Sequence, residues 1–271
     1  MSDAASPAPG GAVSAVSARG LGYVYPDGRR ALEGVTFSAA PGEAVGIIGP
    51  NGAGKTTLFL LLSGLLDPSG GEVAIGGVPF GAAPLGVGAD RSLRRKIGLV
   101  FQTTDEQLFC PTVFDDVAFG PLNFDFPKSE VRERVARALD AVGMRGSEGR
   151  SSHHLSCGER RRVAIATVLS YDPEILILDE PTSDLDPRGR RELVSLLAGM
   201  RQTKIVASHD LEFVARTCTR AIVIAGGKIR GDLPAARAVT DAAFLEANGL
   251  EIPLGLRGLD AAGLEELLRG A

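Results

Sequence analysis

Gly49-Pro50-Asn51-Gly52-Ala53-Gly54-Lys55-Thr56-Thr57 is the stretch on which the rest of the sequence turns. It fits the pattern G-x-x-x-x-G-K-[ST] without a mismatch. Glycines let the backbone curl until successive N–H groups face inward, where they cradle phosphate oxygens. Lys55 adds a positive point charge for the terminal phosphates, and the Thr56 hydroxyl is of the kind that ligates Mg²⁺. The flanks agree. Ala44–Ile48 is a short apolar run, as a buried parallel strand requires. Thr57–Leu66 reads as a helix whose N-terminal dipole favours anions. A chance glycine turn before a helix would not need this context. The loop alone predicts binding of a nucleoside triphosphate and leaves open what that binding drives.

Composition narrows the class. A chain of 271 residues suits one large α/β domain with additions, or two small domains. Hydrophobic residues make up 44%, enough for a sizeable core. The net charge of −4 argues against a nucleic-acid-binding face. No run approaches the roughly 18 apolar residues of a membrane span, so any membrane role has to come through a partner. Residues 1–12 are small and Pro/Gly-rich, lack the regions of a signal peptide, and read as a disordered tail. Cys110, Cys157 and Cys218 are odd in number and widely spaced, which fits reduced thiols and not disulfides or a zinc site.

Ahead of the loop, residues 13–41 read as short strands around a turn at Pro26-Asp27-Gly28. Tyr23 and Tyr25 share one strand face. Ordinary packing accounts for Tyr23, whereas Tyr25 ends the strand and is placed to stack on a base. After the loop, Asp67–Gly71 stops the helix, Glu72–Val78 reads as a strand with a turn at Gly76-Gly77, and Pro79–Asp90 reads as a loop. Arg91–Lys96 is a short basic segment with a solvated face. Ile97–Phe101 reads as a core strand ending at Gln102, whose amide could reach Mg²⁺ or an attacking water. Helices follow as far as about Ser156. Ser129–Val142 shows a helical stripe at Val131, Val135, Ala138, Leu139 and Val142, which is core.

Leu155-Ser156-Cys157-Gly158-Glu159 opens the next helix. Ser156 and Glu159 make an ordinary capping box. A glycine-containing loop at a helix N-terminus is also a second anion site. The neighbouring His153 and His154 make a poor metal site without further ligands. Ile175–Leu178 is a strand buried on both faces, with Asp179 and Glu180 at its C-terminal end, the edge where open α/β sheets hold ligands. Asp179 suits Mg²⁺; Glu180 suits a general base on water. Ser183-Asp184-Leu185-Asp186 precedes a helix over 187–200. Lys204–Ser208 is a further strand, and His209 at its end has a place near phosphate. Arg220–Ile229 reads as a hairpin, followed by two weaker helical segments in which no chemistry is visible.

With these motifs in order, the chain resembles an ATP-binding-cassette (ABC) ATPase. The resemblance covers about residues 13–230. It implies an α/β P-loop NTPase fold: a RecA-like core, an antiparallel β-subdomain and a helical subdomain at about 103–170. The ATPase domain then spans 13–232 and a C-terminal helical extension 233–271. It implies an ATP sandwich between two head-to-tail cassettes. Tyr25 and Gly49–Thr57 of one chain hold ATP, as do Ser156, Gly158 and Asp186 at the signature and D-loop. Thr56, Gln102 and Asp179 hold Mg²⁺; Glu180, His209 and Gln102 act in hydrolysis. A complete motif set favours a homodimer.

The segment from Gln102 to Leu122, His153-His154, the arginines 160–162 and Tyr25-Pro26-Asp27-Gly28 are similar to the ATPase of energy-coupling-factor (ECF) importers, most closely the cobalt/nickel branch. That resemblance implies a transmembrane coupling subunit docked near residues 102–122, with Asp105 or Glu106 facing its arginines. A substrate-binding membrane subunit is then reached indirectly, and the chain sits at the cytoplasmic face of the cell membrane. A vitamin importer would use a similar cassette. Two residues depart from the pattern. Cys157 replaces a glycine, which costs about 1 kcal/mol if the position needs φ > 0. Asp184 stands where the D-loop usually carries a small residue. A non-transport ABC ATPase would carry paired cassettes or basic arms, a P-loop kinase or GTPase would lack the signature and His209, and a dead scaffold would lack Lys55, Asp179, Glu180 or His209.

Overall fold

The computed structural model describes residues 13–80 and 91–269. Strands β1 (Val16–Val24) and β2 (Arg30–Ala39) precede β3 (Ala44–Ile48), the P-loop and helix α1 (Lys55–Leu62). Then come β4 (Gly70–Ile75), β5 (Val78–Phe80), α2 (Arg91–Arg95) and β6 (Ile97–Val100). Helices α3 (Val113–Asn123), α4 (Lys128–Ala141) and α5 (Cys157–Leu169) follow with no strand between them. The chain continues through β7 (Ile175–Asp179), α6 (Pro187–Ala198), β8 (Thr203–Ala207), α7 (Leu211–Thr217), β9 (Arg220–Ala225) and β10 (Lys228–Pro234). It ends in α8 (Ala235–Thr240), α9 (Ala242–Ala247) and α10 (Ala261–Arg269).

Two sheets result. One is antiparallel with order β2-β1-β4-β5; the other has order β10-β9-β3-β8-β7-β6 and is parallel except at the β9–β10 pair. Side-chain alternation divides the core. Ile175 and Ile177 pack with the antiparallel sheet and α1, while Leu176 and Leu178 pack with the helices on the opposite face. Each such buried side chain contributes about 1.5–3 kcal/mol by leaving water. A strand buried on both faces has to be a continuous apolar run, which is why β3 and β7 are readable in sequence. The parallel strands also bring their C-terminal ends to one edge, so Gly49, Gln102, Asp179, Glu180 and His209 converge without being neighbours in sequence.

Several boundaries differ from the sequence reading. Helix α1 stops at Leu62 because Gly64 takes φ +68, before the breaker cluster that begins at Asp67. Pro79 and Phe80 belong to β5, paired with Ala74 and Val73 across the Gly76-Gly77 turn, and not to a loop. Among the described residues the C-terminal region holds three α-helices instead of two. They are pinned to β10 by Phe244, whose ring lies so close to Gly231 that a Cβ there would collide with it. The expected disorder of residues 1–12, the expected loop over 81–90 and the end of the C-terminal extension lie outside the described residues. No described helix is long and apolar enough to cross a membrane.

Candidate active site

The P-loop is fixed by close approaches that only glycine permits. A Cβ at Gly49 would run into the Ile224 carbonyl of β9. Gly54 has φ +104, and a Cβ there would lie 2.7 Å from the Ala31 carbonyl. Gly54 is also the N-cap of α1 and provides no side-chain acceptor. The first N–H groups of α1 are therefore left to an external anion. Lys55 Nζ donates to the carbonyls of Gly49 at 2.8 Å and Pro50 at 3.2 Å, and lies 3.9 Å from Glu180 Oε1. Burial pushes the Lys55 ammonium down in pKa, and the charges of Glu180 and Asp179 work against that.

Asp179 and Glu180 end β7 in different states. Asp179 is 4% exposed; Thr56 donates its hydroxyl to the carboxylate, yet Oδ1 has no partner. Burial pushes its pKa up, helped by the charge of Glu180. An orphaned buried carboxylate oxygen is costly, and a hard divalent cation satisfies it. A Thr hydroxyl, one carboxylate and an exposed Gln amide fit Mg²⁺, which keeps waters and takes phosphate oxygens as further ligands. Consistent with that sparse set, no cluster of three or more His, Cys, Asp or Glu suited to a metal occurs among the described residues. His153 and His154 are both exposed.

Glu180 adopts φ +44, a conformation that costs a non-glycine residue about 1 kcal/mol or more, and its N–H donates to the Ala207 carbonyl at 2.9 Å. The turn delivers its carboxylate to His209, whose Nδ1 lies 2.7 Å from Oε2 and whose backbone N–H donates to the same oxygen at 3.2 Å. His209 is 63% exposed while Glu180 is buried. The pair thus runs from the core to the surface of the cavity.

One cavity of about 620 Å³ is lined by Gly49–Thr57, Gln102, Asp179, Glu180 and His209. Its size suits a nucleotide. Tyr25 is not part of its wall. The Tyr25 hydroxyl pairs with Thr57 Oγ1 at 2.9 Å, Arg29 sits 4.4 Å over the ring, and Tyr23 meets it edge-on at 5.0 Å. One face of the ring is already covered by a guanidinium, an ordinary cation–π contact that sequence position does not reveal. Arg29, Arg30 and Ala31 line the cavity instead. So do Gly249 and Leu250 from the C-terminal extension, where a Cβ on Gly249 would lie 3.6 Å from Pro50. Sequence reading missed both groups; the glycine after a short helix was the only signal for the second.

Ser156 and Gly158 lie elsewhere, with Asp186, in a separate cleft of about 370 Å³ that shares no lining residue with the first cavity. Ser156 caps α5 in a full capping box: its Oγ accepts from the Glu159 N–H, and Glu159 Oε2 accepts from the Ser156 N–H at 2.8 Å. Arg150, 2.6 Å away, is the largest influence holding Glu159 down to about 2, followed by the Ser156 N–H. Asp186 caps α6 by accepting from the Gly189 N–H at 2.7 Å. Cys157 is the first helical residue of α5 and is absent from the positive-φ residues, so the expected backbone strain does not arise there. The strained D-loop residue is Asp184, at φ +64. Arg190, in the first turn of α6, pairs with Asp210 at 2.8 Å.

Residues 32–183 match the ABC transporter family model. The chain belongs to the ABC transporter ATP-binding family. It is 44% identical over 243 residues to the energy-coupling factor transporter ATP-binding protein EcfA of Methanothermobacter thermautotrophicus, covering 88% of this chain and 76% of that protein. Among solved structures it is similar to cbiO1 of Clostridium perfringens, part of the ABC transporter complex cbiONQ, with TM-score 0.76, 36% identity and coverage of 86% and 94%. It is also similar to the cassette MJ0796 in a dimeric post-hydrolysis state bound to ADP and Pi, with TM-score 0.71, 28% identity and coverage of 81% and 98%. The ABC ATPase fold and a transport-coupled ATPase activity follow from family membership. The expectation of an ECF-like ATP-binding subunit agrees with these relatives.

Proposed function

We propose that this chain is the ATP-hydrolysing subunit of an ECF-type importer of cobalt or nickel ions, acting as a homodimer that sandwiches two ATP molecules. The observation that carries the dimer is the separation of the two cavities. Lys55, Asp179, Glu180 and His209 surround one, Ser156 and Gly158 open on another, and neither set completes the other within a chain. Head-to-tail pairing under a two-fold axis brings each cavity against the partner's cleft. Thr56 and Asp179, with Gln102, would hold Mg²⁺. When bound, Mg²⁺ would supply positive charge against the phosphate oxygens. Glu180 polarises the attacking water, His209 contacts the γ-phosphate, and Lys55 transfers its hydrogen bonds from the Gly49 and Pro50 carbonyls to phosphate. Tyr25 would stack on adenine, competing with Arg29 if adenine takes the face that Arg29 covers.

The docking surface for a transmembrane coupling subunit is the stretch 102–122. There Phe109 and Phe119 meet edge to face at 5.1 Å and stay exposed beside Leu122. The Asp105 side chain is 76% exposed and makes only a long ion pair, 4.0 Å, with Arg160, and Glu106 is exposed too, so both carboxylates are accessible to arginines of the partner. A substrate-binding subunit is engaged through that partner, at the cytoplasmic face of the membrane, and no nucleic acid is involved. The ECF-type reading is supported by the likeness to EcfA and to cbiO1, part of an ABC transporter complex; the cobalt/nickel choice rests on the sequence resemblance of residues 102–122, His153-His154, the arginines 160–162 and Tyr25-Pro26-Asp27-Gly28. The test is ATP-driven uptake by the complete complex in proteoliposomes. Uptake of Co²⁺ or Ni²⁺ that stops with Glu180→Gln is expected. Uptake of a vitamin and of neither ion would replace the metal reading with a vitamin importer; no membrane partner at all would leave a non-transport ABC ATPase.

A further inference from the structure

Strand β6 is the edge of the parallel sheet and only 4 residues long. Past Val100 no strand holds the chain. Helix α5 holds it instead. Arg161 donates Nη1 to the Phe101 carbonyl at 2.7 Å and Nη2 to the Gln102 carbonyl at 2.8 Å. Gln107 secures the other side: its Oε1 accepts from the Phe101 N–H at 3.1 Å, and its Nε2 donates to the Ala164 carbonyl at 2.8 Å and to Thr167 Oγ1 at 2.7 Å. Both polar groups of the Phe101 backbone and the carbonyl of Gln102 are therefore tied to one helix, within two of its turns.

Arg161 is 3% exposed and makes no ion pair among the described residues, and its Nε has no partner. Burial disfavours its charge; Asp184 of the D-loop and then Asp179 oppose that through space. A buried cation without a carboxylate in contact is a poor way to stabilise a core. A planar fork that spans two successive carbonyls is a good way to fix a backbone, and lysine cannot reproduce it. The same helix starts at Ser156, the residue that faces the second cleft.

We propose that Arg161 is a positioning residue, whose fork onto Phe101 and Gln102 makes the Gln102 amide move as one body with the signature end of α5. Displacement of the helix by a partner then displaces Gln102 at the phosphate cavity, and the reverse. This rests on the reading of Gln102 as a group facing Mg²⁺ or water.

The test compares Arg161→Lys, Gln102→Ala and the double variant in the full-length chain. Readouts are amide hydrogen exchange over residues 101–107 without nucleotide, ATP affinity, and turnover. Expected for Arg161→Lys is about tenfold faster exchange confined to that segment, ATP affinity within about twofold, and turnover down about tenfold. Added to Gln102→Ala, it should cause no further loss of turnover. Unchanged exchange overturns the proposal, as does a loss that multiplies in the double variant, or affinity and turnover falling together. Parental turnover in Gln102→Ala alone would remove the reading of Gln102, while exchange would still decide whether Arg161 holds the segment. If Arg161→Lys does not fold, Gln107→Glu gives the same exchange test, because it keeps the acceptor for the Phe101 N–H and loses the donors to α5.

Discussion

The cavity around Lys55 and the cleft around Ser156 differ in what their polar groups have to do before any ligand arrives. In the cavity, demand is stored. Asp179 is buried with one oxygen unpaired, Glu180 is held at φ +44, and Lys55 leans on carbonyls of its own loop. In the cleft, the helix-capping demand is met, and the backbone strain there is confined to Asp184 at φ +64. Ser156 and Glu159 satisfy each other, Asp186 satisfies α6, and the nearest atom to a Cβ on Gly158 is Leu185 Cδ2, 4.0 Å away. The cavity gains from nucleotide and cation by itself. The cleft gains nothing further from its own chain, and its open glycine leaves room for something outside it. On the proposed ATP sandwich, binding belongs to one chain and hydrolysis to two.

Substitutions in the two regions should separate along that line. The largest effect is expected from Glu180→Gln. It keeps shape and the αL turn but removes the proposed base, so turnover should fall at least about a hundredfold with ATP binding retained, as read by single-turnover assays and equilibrium binding. Parental turnover would erase the distinction between the cavity's two carboxylates. Ser156→Ala should cost about 1 kcal/mol of stability through the lost cap and leave ATP affinity of the isolated chain unchanged, while turnover falls. A drop in monomer affinity would mean that the cleft and the cavity are not independent.

Smaller effects sharpen the cleft side. Glu159 has its folded pKa depressed to about 2 from 4.5, chiefly by Arg150. Its contribution to stability is thus full above pH 4.5 and is lost as pH falls toward 2. Urea midpoints of the parent should decline over that window more than those of Glu159→Gln, by roughly 1 kcal/mol or less after solvent screening. Equal slopes would show that the capping box carries no charge-dependent stability. The smallest effect is expected at Cys157. Since its backbone is helical, Cys157→Gly should change stability by no more than about 0.5 kcal/mol. Alkylation of this exposed thiol should slow turnover without altering ATP binding. Turnover indifferent to alkylation would place Cys157 outside the closing surface.

Sequence carried the parts of this picture that depend on local pattern. The runs Ala44–Ile48 and Ile175–Leu178 had to be strands buried on both faces, and the sheet then delivered Gln102, Glu180 and His209 to the P-loop. What stayed hidden depends on contacts between distant segments. Arg29 over Tyr25 is set by the tight turn between β1 and β2, not by residue type. Gly249 reaches Pro50 only because Phe244 seats the C-terminal helices on β10. The strain assigned to Cys157 rested on a glycine pattern, whereas φ there follows from the N-cap at Ser156. Redundant breakers, Gly64 and then Asp67-Pro68, hid the true end of α1.

The claim that each site is split between two chains is tested most directly by complementation. Lys55→Ala and Ser156→Ala are each expected to turn over well below a quarter of the parental rate alone. In a 1:1 mixture allowed to exchange subunits, half of the dimers are mixed, and each mixed dimer keeps one intact cavity facing one intact cleft. Turnover should return to about a quarter of the parental rate if the sites act independently. Turnover no higher than the average of the two variants measured separately would contradict a shared site.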